Sequence, residues 1–168
     1  MNGLGANNME YFDDVEPLQP HILSSKDGKE LLELIDSAEI NGQNIRDLIA
    51  APDQEKFGLK WEIEVAMNVL APLSRRWNIE ICSALYIGGT CRFNHLKGLL
   101  SGISSRTLSD KLTSLASDGY VKRLVDNGPP LRTSYELTEK GKKVGRLLGN
   151  LVAYLKIDEG YLKINQER

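Results

Sequence analysis

A chain of 168 residues with 41% hydrophobic and 26% charged residues is long enough to bury one core of ordinary size, as soluble globular proteins do. No run of residues approaches the roughly 20 apolar positions that a membrane span requires, and the acidic, Asn-rich start does not resemble a signal peptide. Two cysteines are too few for a disulfide framework, so we expect a reducing, cytoplasmic environment.

The net charge of −2 conceals a division along the chain. Residues 1–60 carry 12 acidic against 5 basic side chains, a net of −7, whereas residues 74–146 carry 6 acidic against 13 basic, a net of +7. A basic segment of this size favours a polyanionic partner whose binding weakens as salt rises. The alternative is a solvated face whose charge is cancelled by the acidic N-terminal part, and charge alone favours neither.

The N-terminal part carries no recognisable chemistry and is predicted to pack, on the core or on a second subunit. Residues 1–24 are polar and acidic, which predicts a disordered or loose arm. Asp27 and Glu30 have the spacing of a capping box, and Asn41-Gly42 is expected to break the helix that follows. A second short helix should then have three inward-facing residues, Ile45, Leu48 and Ile49.

The middle of the chain has the spacing of several consecutive helices. From Leu59 the apolar positions recur with a helical period, and this run should stop at Pro72. The next helix is predicted to have Trp77 inside and to end at Gly88-Gly89. Two short helices follow, separated by Gly102. Two short helices joined by a tight turn containing glycine are typical of a helix-turn-helix.

The second short helix, residues 104–118, has the clearest two-sided pattern in the chain. Ser104 lies where an N-cap belongs. Three leucines form one narrow apolar stripe: Leu108, Leu112 and Leu115. The opposite side carries short hydroxyl side chains and Arg106, with almost no acid. Because a helix that meets only water usually carries longer, mixed charges, this side is predicted to press against a polar partner.

After Asp118-Gly119 the period changes from helix to strand. Residues 120–125 and 133–137 are predicted to form two strands, joined by a loop too long for a two-residue turn. Thr138 then caps a last long helix, whose apolar stripe continues past the length that one small domain needs to cover. The fold class is therefore mainly α with a small β-hairpin wing: a winged helix-turn-helix with an N-terminal helical extension and a long C-terminal helix.

Three stretches of the sequence match a known pattern. They are Arg76-Trp77; Arg92-Phe93-Asn94-His95-Leu96 followed by Gly102-Ile103-Ser104-Ser105-Arg106-Thr107-Leu108; and Tyr135-Glu136-Leu137-Thr138-Glu139-Lys140-Gly141. With them, residues 64–155 resemble the HxlR-type branch of the MarR-like winged-helix transcription regulators. The resemblance implies a homodimer held by N- and C-terminal helices. It also implies that helix 104–118 enters the major groove of double-stranded DNA and that the wing, residues 120–137, reaches the flanking minor groove.

The chain departs from this family in three places. Some members sense oxidants or electrophiles through a Cys-Pro pair at the start of the domain, and this sequence has Glu64-Val65 there, so that mechanism is not expected at this position. Leu131 is an extra residue in the wing, and it alters the expected reach of the wing tip. The acidic N-terminal extension lies outside the family core.

The residues predicted to read DNA lie on the outer side of helix 104–118. Arg106 can donate two hydrogen bonds to guanine O6 and N7, and the alternative is an ion pair with Asp110 four residues on. Asp110 would repel phosphate, so it would orient the arginine or contact a cytosine amino group. Ser105, Thr107 and Ser109 are short donors for phosphates or base edges, although such residues also occupy helix starts for local reasons.

Two further groups of candidates surround that helix. Asn127 and Arg132, at the wing tip, are suited to a narrow minor groove, although an exposed loop arginine is equally a plain solubilising residue. Four basic residues near the motif are predicted to clamp phosphates: Arg75, Arg76, Arg92 and Lys97. Lys111 and Lys122 are weaker candidates.

No residue pattern indicates catalysis. Cys91 is expected to be exposed and acidified by a helix start, which makes it a possible redox residue, whereas Cys82 is expected to be buried and inert. His21 and His95 lack metal-ligand spacing to the cysteines, so no metal site is predicted. The sequence has no phosphate-binding glycine loop with lysine and no serine nucleophile elbow. No cofactor is expected, and no small-molecule effector is identified.

These observations predict a homodimeric cytoplasmic regulator of transcription that binds double-stranded DNA and is not an enzyme. The alternative is a winged helix used for protein contact within a transcription or assembly complex, since a fold does not fix a function. Its signature would be an apolar outer side on helix 104–118, which the sequence lacks. The predicted organisation is an arm at 1–24, a helical extension at 25–58, a winged-helix DNA-binding and dimerisation domain at 59–157, and a tail at 158–168.

Overall fold

The computed structural model describes residues 18–50, 58–129 and 131–165. In chain order the elements are β1 (His21–Leu23), α1 (Ser25–Ala50), α2 (Leu59–Ser74), α3 (Asn78–Gly88), β2 (Cys91–Arg92), α4 (Phe93–Leu99), α5 (Ser105–Ser117), β3 (Val121–Asp126), β4 (Arg132–Leu137), α6 (Glu139–Asp158) and β5 (Leu162–Ile164). The chain divides into two compact units, one formed by residues 1–40 and 152–168 and the other by residues 41–151. Most of the arm predicted at 1–24 lies outside the described residues.

The core of the second unit joins α3, α4, α5 and the base of the wing. Its most deeply buried apolar side chains are Ile81, Cys82, Leu85, Leu96, Leu108, Leu112, Leu115, Val121 and Leu137. The leucine stripe predicted on α5 is confirmed, because none of its three members is more than 1% exposed. Burying one such side chain contributes about 1.5–3 kcal/mol. This burial fixes which side of α5 faces outward.

The wing is a three-stranded antiparallel sheet in the order β2-β4-β3. The β3–β4 ladder runs from Val121 with Leu137 at the base to Asp126 with Arg132 at the tip. The predicted hairpin is therefore confirmed to within one residue at each strand end. Strand β2 pairs with β4 and was not predicted, because two residues are too few to show an alternating pattern.

The start of α6 is fixed to the end of α5. The Thr138 hydroxyl oxygen accepts a hydrogen bond from the Gly141 N–H at 3.1 Å, as the predicted cap requires, and the hydroxyl donates to the Gly119 carbonyl at 2.6 Å. The Thr138 N–H donates to the Tyr120 carbonyl at 3.0 Å. A Cβ on Gly141 would overlap that same carbonyl oxygen. Only glycine therefore allows this close approach.

Over residues 25–50, the described part of the N-terminal extension forms one helix, α1, where the sequence predicted two. Asn41-Gly42 lies inside it, since a glycine costs a helix only about 1 kcal/mol relative to alanine. The capping box was also placed three residues late. Ser24 is the cap: its Oγ accepts from the Asp27 N–H at 3.1 Å and its hydroxyl donates to the Asp27 carboxylate at 2.7 Å.

The C-terminal half of α1 does not pack as predicted. Ile45, Leu48 and Ile49 were expected to face inward, but they are 56%, 74% and 64% exposed. Every residue from 41 to 49 is exposed. No described part of the chain covers this half of the helix.

Helix α2 continues two residues past Pro72, where the sequence predicted its end. Proline disturbs the turn before it, so in the last turn it removes one hydrogen bond without stopping the residues that follow. The side chain of Asn78 is fully buried and donates from Nδ2 to the Pro72 carbonyl, which satisfies one acceptor at this helix end. Trp77 is half-buried and packs against the core, as predicted, although it precedes α3 as the N-cap, with a left-handed φ of 75°.

The first unit contains a small parallel sheet made of β1 and β5. His21 pairs with Leu162, and Leu23 pairs with Ile164. Neither strand was predicted, and β5 lies within the range 158–168 that was expected to be a tail. Gly28 of α1 packs directly on Ile164, and a Cβ at this glycine would overlap that side chain. In the described parts of the chain, no helix has the length and apolar character needed to cross a bilayer.

Candidate DNA-binding interface

Helix α5 turns its polar side outward. Ser104 is its N-cap and accepts a hydrogen bond from the Thr107 N–H at 3.0 Å. Arg106, Asp110 and Thr113 are all exposed, on the side opposite the three buried leucines. The geometry predicted for this helix is therefore present in the folded chain.

Arg106 is available to an external partner. Among the described residues, no ion pair joins Arg106 to Asp110, and no hydrogen bond or ring contact engages its guanidinium. A guanidinium carries five N–H donors in a planar fork. The local ion pair that was the alternative interpretation of this arginine is not formed.

The three hydroxyl candidates on α5 are not equivalent. Thr107 is half-buried, and its hydroxyl lies 2.8 Å from the Ser104 hydroxyl, which gives it a local role in the helix cap. Ser105 and Ser109 are exposed. The hydroxyl side chains with the best access to a partner are therefore these two serines.

Two of the predicted phosphate clamps lie in the link between α2 and α3. The Arg75 guanidinium donates to the Ser114 hydroxyl on α5 over a long 3.4 Å. The Arg76 guanidinium lies over the Trp77 ring, 5.2 Å from its centroid, in a cation–π arrangement. Both arginines remain exposed, and the contact with Ser114 places Arg75 beside α5.

The remaining basic candidates lie at helix α4 and at the wing tip. Arg92 is the N-cap of α4 and Lys97 lies in its last turn, and both are exposed. Asn127 and Arg132 are exposed in the wing-tip region. The turn there is shaped by Asp126, whose carboxylate accepts from the Gly128 N–H at 3.1 Å.

A polar network at the base of the wing was not predicted. Glu136 Oε1 lies 2.7 Å from Lys122 Nζ, and Glu136 Oε2 accepts from the Thr90 hydroxyl at 2.7 Å. The hydrogen bond from Lys122, assisted by that from Thr90, lowers the pKa of Glu136 below its ordinary value of 4.5. Lys122 and Glu136 are opposite each other once the strand register is known, whereas nothing in the sequence singles out Thr90.

The expected exposure of Cys91 is wrong. Its side chain is only 4% exposed, because the first residue of β2 points into the core, next to Gly88. Cys82 is buried as predicted, and burial raises the pKa of its thiol to about 11. Neither thiol has the access that redox sensing requires. Within the described ranges, no three His, Cys, Asp or Glu side chains are placed to hold a metal ion.

Fold and site together define a winged helix-turn-helix protein with an exposed, polar recognition helix. The model of the HxlR-like helix-turn-helix family matches residues 72–160, which is more than half of the chain. The protein belongs to that family and is a transcription regulator, not an enzyme.

Individual relatives agree with the family match. The HTH-type transcriptional regulator YvaP of Bacillus subtilis (strain 168) is 39% identical over 79 residues, covering 47% of this chain and 72% of YvaP. YtfH of Escherichia coli (strain K12), also an HTH-type transcriptional regulator, is 30% identical over 91 residues, covering 54% of this chain and 71% of YtfH. A MarR-family regulator structure from Enterococcus faecalis V583 superposes with a TM-score of 0.52 at 27% identity, covering 64% of this chain and 94% of that one.

Proposed function

We propose that this protein binds specific sequences of double-stranded DNA as a cytoplasmic homodimer, with α5 in the major groove and the wing tip at the flanking minor groove. The observation that carries the proposal is the exposed outer side of α5, on which Arg106 has no partner among the described residues. The major groove of DNA is wide enough for an α-helix, and polar side chains on its outer side can hydrogen-bond to base edges there.

Position along α5 assigns the roles within the interface. First-turn residues of a recognition helix reach base edges, so Arg106 would donate two hydrogen bonds to a guanine, worth about 1–3 kcal/mol of discrimination. Ser105 and Ser109 would bond to phosphates or base edges, and Asp110 would orient the arginine or accept from a cytosine amino group. Four surrounding basic side chains would contact the phosphate backbone of the DNA: Arg75, Arg76, Arg92 and Lys97. Asn127 and Arg132 would approach the minor groove.

Exposed apolar residues on the helices that flank the motif support a homodimer. On α2, Leu59, Met67 and Leu70 are 77%, 68% and 55% exposed, and on α6, Leu147 and Leu151 are 71% and 53% exposed. Exposure on this scale is typical of a surface that a partner covers. In such a dimer the two recognition helices would meet successive major grooves, about 34 Å apart, on an inverted repeat.

The proposal is tested by selecting binding sites from genomic DNA with the wild type and with Arg106→Ala. We expect the wild type to enrich an inverted repeat and the variant to bind without sequence preference. Lys29→Ala, which removes an exposed cation from α1, is the matched control and should leave the enriched motif unchanged. Enrichment of the same motif by the Arg106 variant would contradict the role assigned to this residue.

A salt titration separates DNA binding from the protein-contact alternative. Binding through several phosphate contacts makes the affinity for duplex DNA fall steeply as salt rises. A slope near zero, or no binding to any genomic fragment at low salt, would favour a winged helix that contacts protein instead.

A further inference from the structure

Helix α1 carries a heptad repeat along its length. Residues spaced alternately by four and three positions form one seam: Leu31, Ile35, Ala38, Gly42, Ile45 and Ile49. A repeat of 3.5 residues keeps one stripe facing a second helix, which is the pattern of coiled-coil packing. The seam therefore predicts a helical partner for α1.

The part of the chain that the structure describes covers only the first half of this seam. Leu31, Ile35 and Ala38 are half-buried, whereas Ile45 and Ile49 remain mostly exposed. The apolar side chains in the second half of the seam are therefore not covered by the described residues, and a second helix could bury them.

We propose that residues 38–49 of α1 pack antiparallel against the same segment of a second copy of this protein. In that alignment Gly42 lies opposite the partner's Ile45, and Ala38 lies opposite the partner's Ile49. Two-fold symmetry repeats each contact, so every large seam residue meets a small one. A parallel alignment would place glycine against glycine and leave a gap, which costs packing energy.

The charges beside the seam favour the same alignment. Glu39 and Arg46 flank the seam on one side of the helix. In an antiparallel pair, the Glu39 of each subunit lies next to the partner's Arg46, so the contact forms twice. Among the described residues, the side chain of Arg46 pairs only with its neighbour Asp47, at 3.1 Å, and both side chains are more than half exposed. Such a surface pair is worth little, so Arg46 can exchange this contact for the partner's carboxylate.

This pairing extends the homodimer of the proposed function and rests on it. Two 12-residue helical segments bury too little surface to hold a dimer alone, since a stable interface buries about 1,600 Å² in total. The α1 pair would therefore add to an interface made by α2 and α6.

Disulfide trapping tests the direction of the pair. A Gly42→Cys protein and an Ile45→Cys protein are mixed, allowed to exchange subunits and oxidised mildly. Opposed seam positions of an antiparallel pair fall within reach of a disulfide, whose Cα atoms are usually about 4.4–6.8 Å apart. A Cβ at Gly42 meets nothing within 4 Å, so the chain tolerates this substitution. We expect a cross-linked heterodimer from the mixture and much less cross-linking in either protein alone.

The wild type, whose two cysteines are buried, provides the background for this experiment. Efficient cross-linking of the Ile45→Cys protein with itself would indicate a parallel pair and overturn the proposed direction. No cross-linking in the mixture, with the dimer intact, would overturn the pairing.

Sedimentation measurements test the contribution of the seam to dimer affinity. Ile45→Glu should raise the dimer dissociation constant by about tenfold or more, because two charges enter an apolar contact. Ile40→Glu is the matched control: Ile40 is 62% exposed against 56% for Ile45, but it lies off the seam, so its substitution should change the constant by less than about twofold.

A third variant, Met67→Glu on α2, distinguishes a failure of the α1 pairing from a failure of the homodimer itself. If Met67→Glu dissociates the dimer while Ile45→Glu behaves like Ile40→Glu, the homodimer stands and the α1 pairing is overturned. If the wild type is monomeric at every concentration, the homodimer and the α1 pairing are both overturned, while DNA binding by the monomer remains open to the titration described above.

Discussion

Glu136 and Lys122 face each other across the two long strands of the wing, with 2.7 Å between Oε1 and Nζ. The same carboxylate accepts a hydrogen bond from Thr90, just before β2. One side chain therefore ties β3, β4 and the segment leading into β2 together at the base of the wing. Both contacts are strongest when this carboxylate is charged.

Stability should depend on pH through Glu136. Its pKa is lower in the folded protein than in the unfolded chain, because Lys122 and Thr90 stabilise the charged form. The group therefore stabilises the fold above its unfolded pKa, near 4.5, and this contribution is lost as pH falls through the lower folded value. We expect the melting temperature of Glu136→Gln to lie below that of the wild type at pH 6–7 and the difference to shrink towards pH 3.

The control for this prediction is the same substitution in a Lys122→Met background. Without the ammonium group the pH-dependent difference should be smaller, since only the hydrogen bond from Thr90 remains to favour the carboxylate. A difference that is independent of pH in both backgrounds would show that the ion pair does not stabilise the wing.

Gly141→Ala should destabilise the fold by about 1–3 kcal/mol, because the added methyl group would overlap the Tyr120 carbonyl oxygen and the backbone must shift. Gly98→Ala is the matched control. A Cβ at Gly98, in α4, meets nothing within 4 Å, so this substitution should stabilise by about 0.5–1 kcal/mol through helix propensity. Thermal unfolding of the two variants measures both effects. Equal melting temperatures would contradict the close contact between Gly141 of α6 and the Tyr120 carbonyl.

Arg132→Ala should weaken binding to all duplexes alike and reduce the salt slope by about 1, as the loss of one phosphate or groove contact does. Leu131→Ala removes the neighbouring exposed side chain without changing charge and should leave the slope unchanged. Fluorescence anisotropy with labelled DNA over a range of salt concentrations measures both. An unchanged slope for Arg132→Ala would place the wing tip away from DNA.

Native protein should react slowly with thiol reagents. Cys82 and Cys91 are 2% and 4% exposed, and the raised pKa of Cys82, about 11, keeps its thiol protonated at neutral pH. Ser101→Cys would add an exposed thiol in the turn before α5 and serves as the positive control. Labelling kinetics in native and denaturing buffer measure the protection. Rapid native labelling of Cys91, or loss of DNA binding on mild oxidation, would revive a redox role.

The helix-turn-helix and its wing were predictable because their signals are local and agree with one another. The leucine stripe of α5, its Ser104 cap and the change of period after Gly119 each specify the same fold. The outer side of the helix follows directly, since burying the leucines determines what faces outward.

The parts that were mispredicted depend on information that is not local. Asn41-Gly42 has the composition of a break, but the helix continues through it because nothing requires the chain to turn there. The burial of Cys91 follows from its pairing with Tyr135, 44 positions away in the sequence, which no local pattern reveals. The partners of Glu136 were missed for the same reason.

The Tyr120 carbonyl, just past the end of α5, accepts hydrogen bonds from the N–H and the hydroxyl of Thr138, the cap of α6. The end of α5 and the start of α6 are therefore held together at this turn. A substitution that moves the start of α6 should for this reason also move the end of α5. In the complex proposed above, such a change would alter how α5 meets DNA without replacing any of the side chains assigned to the contact.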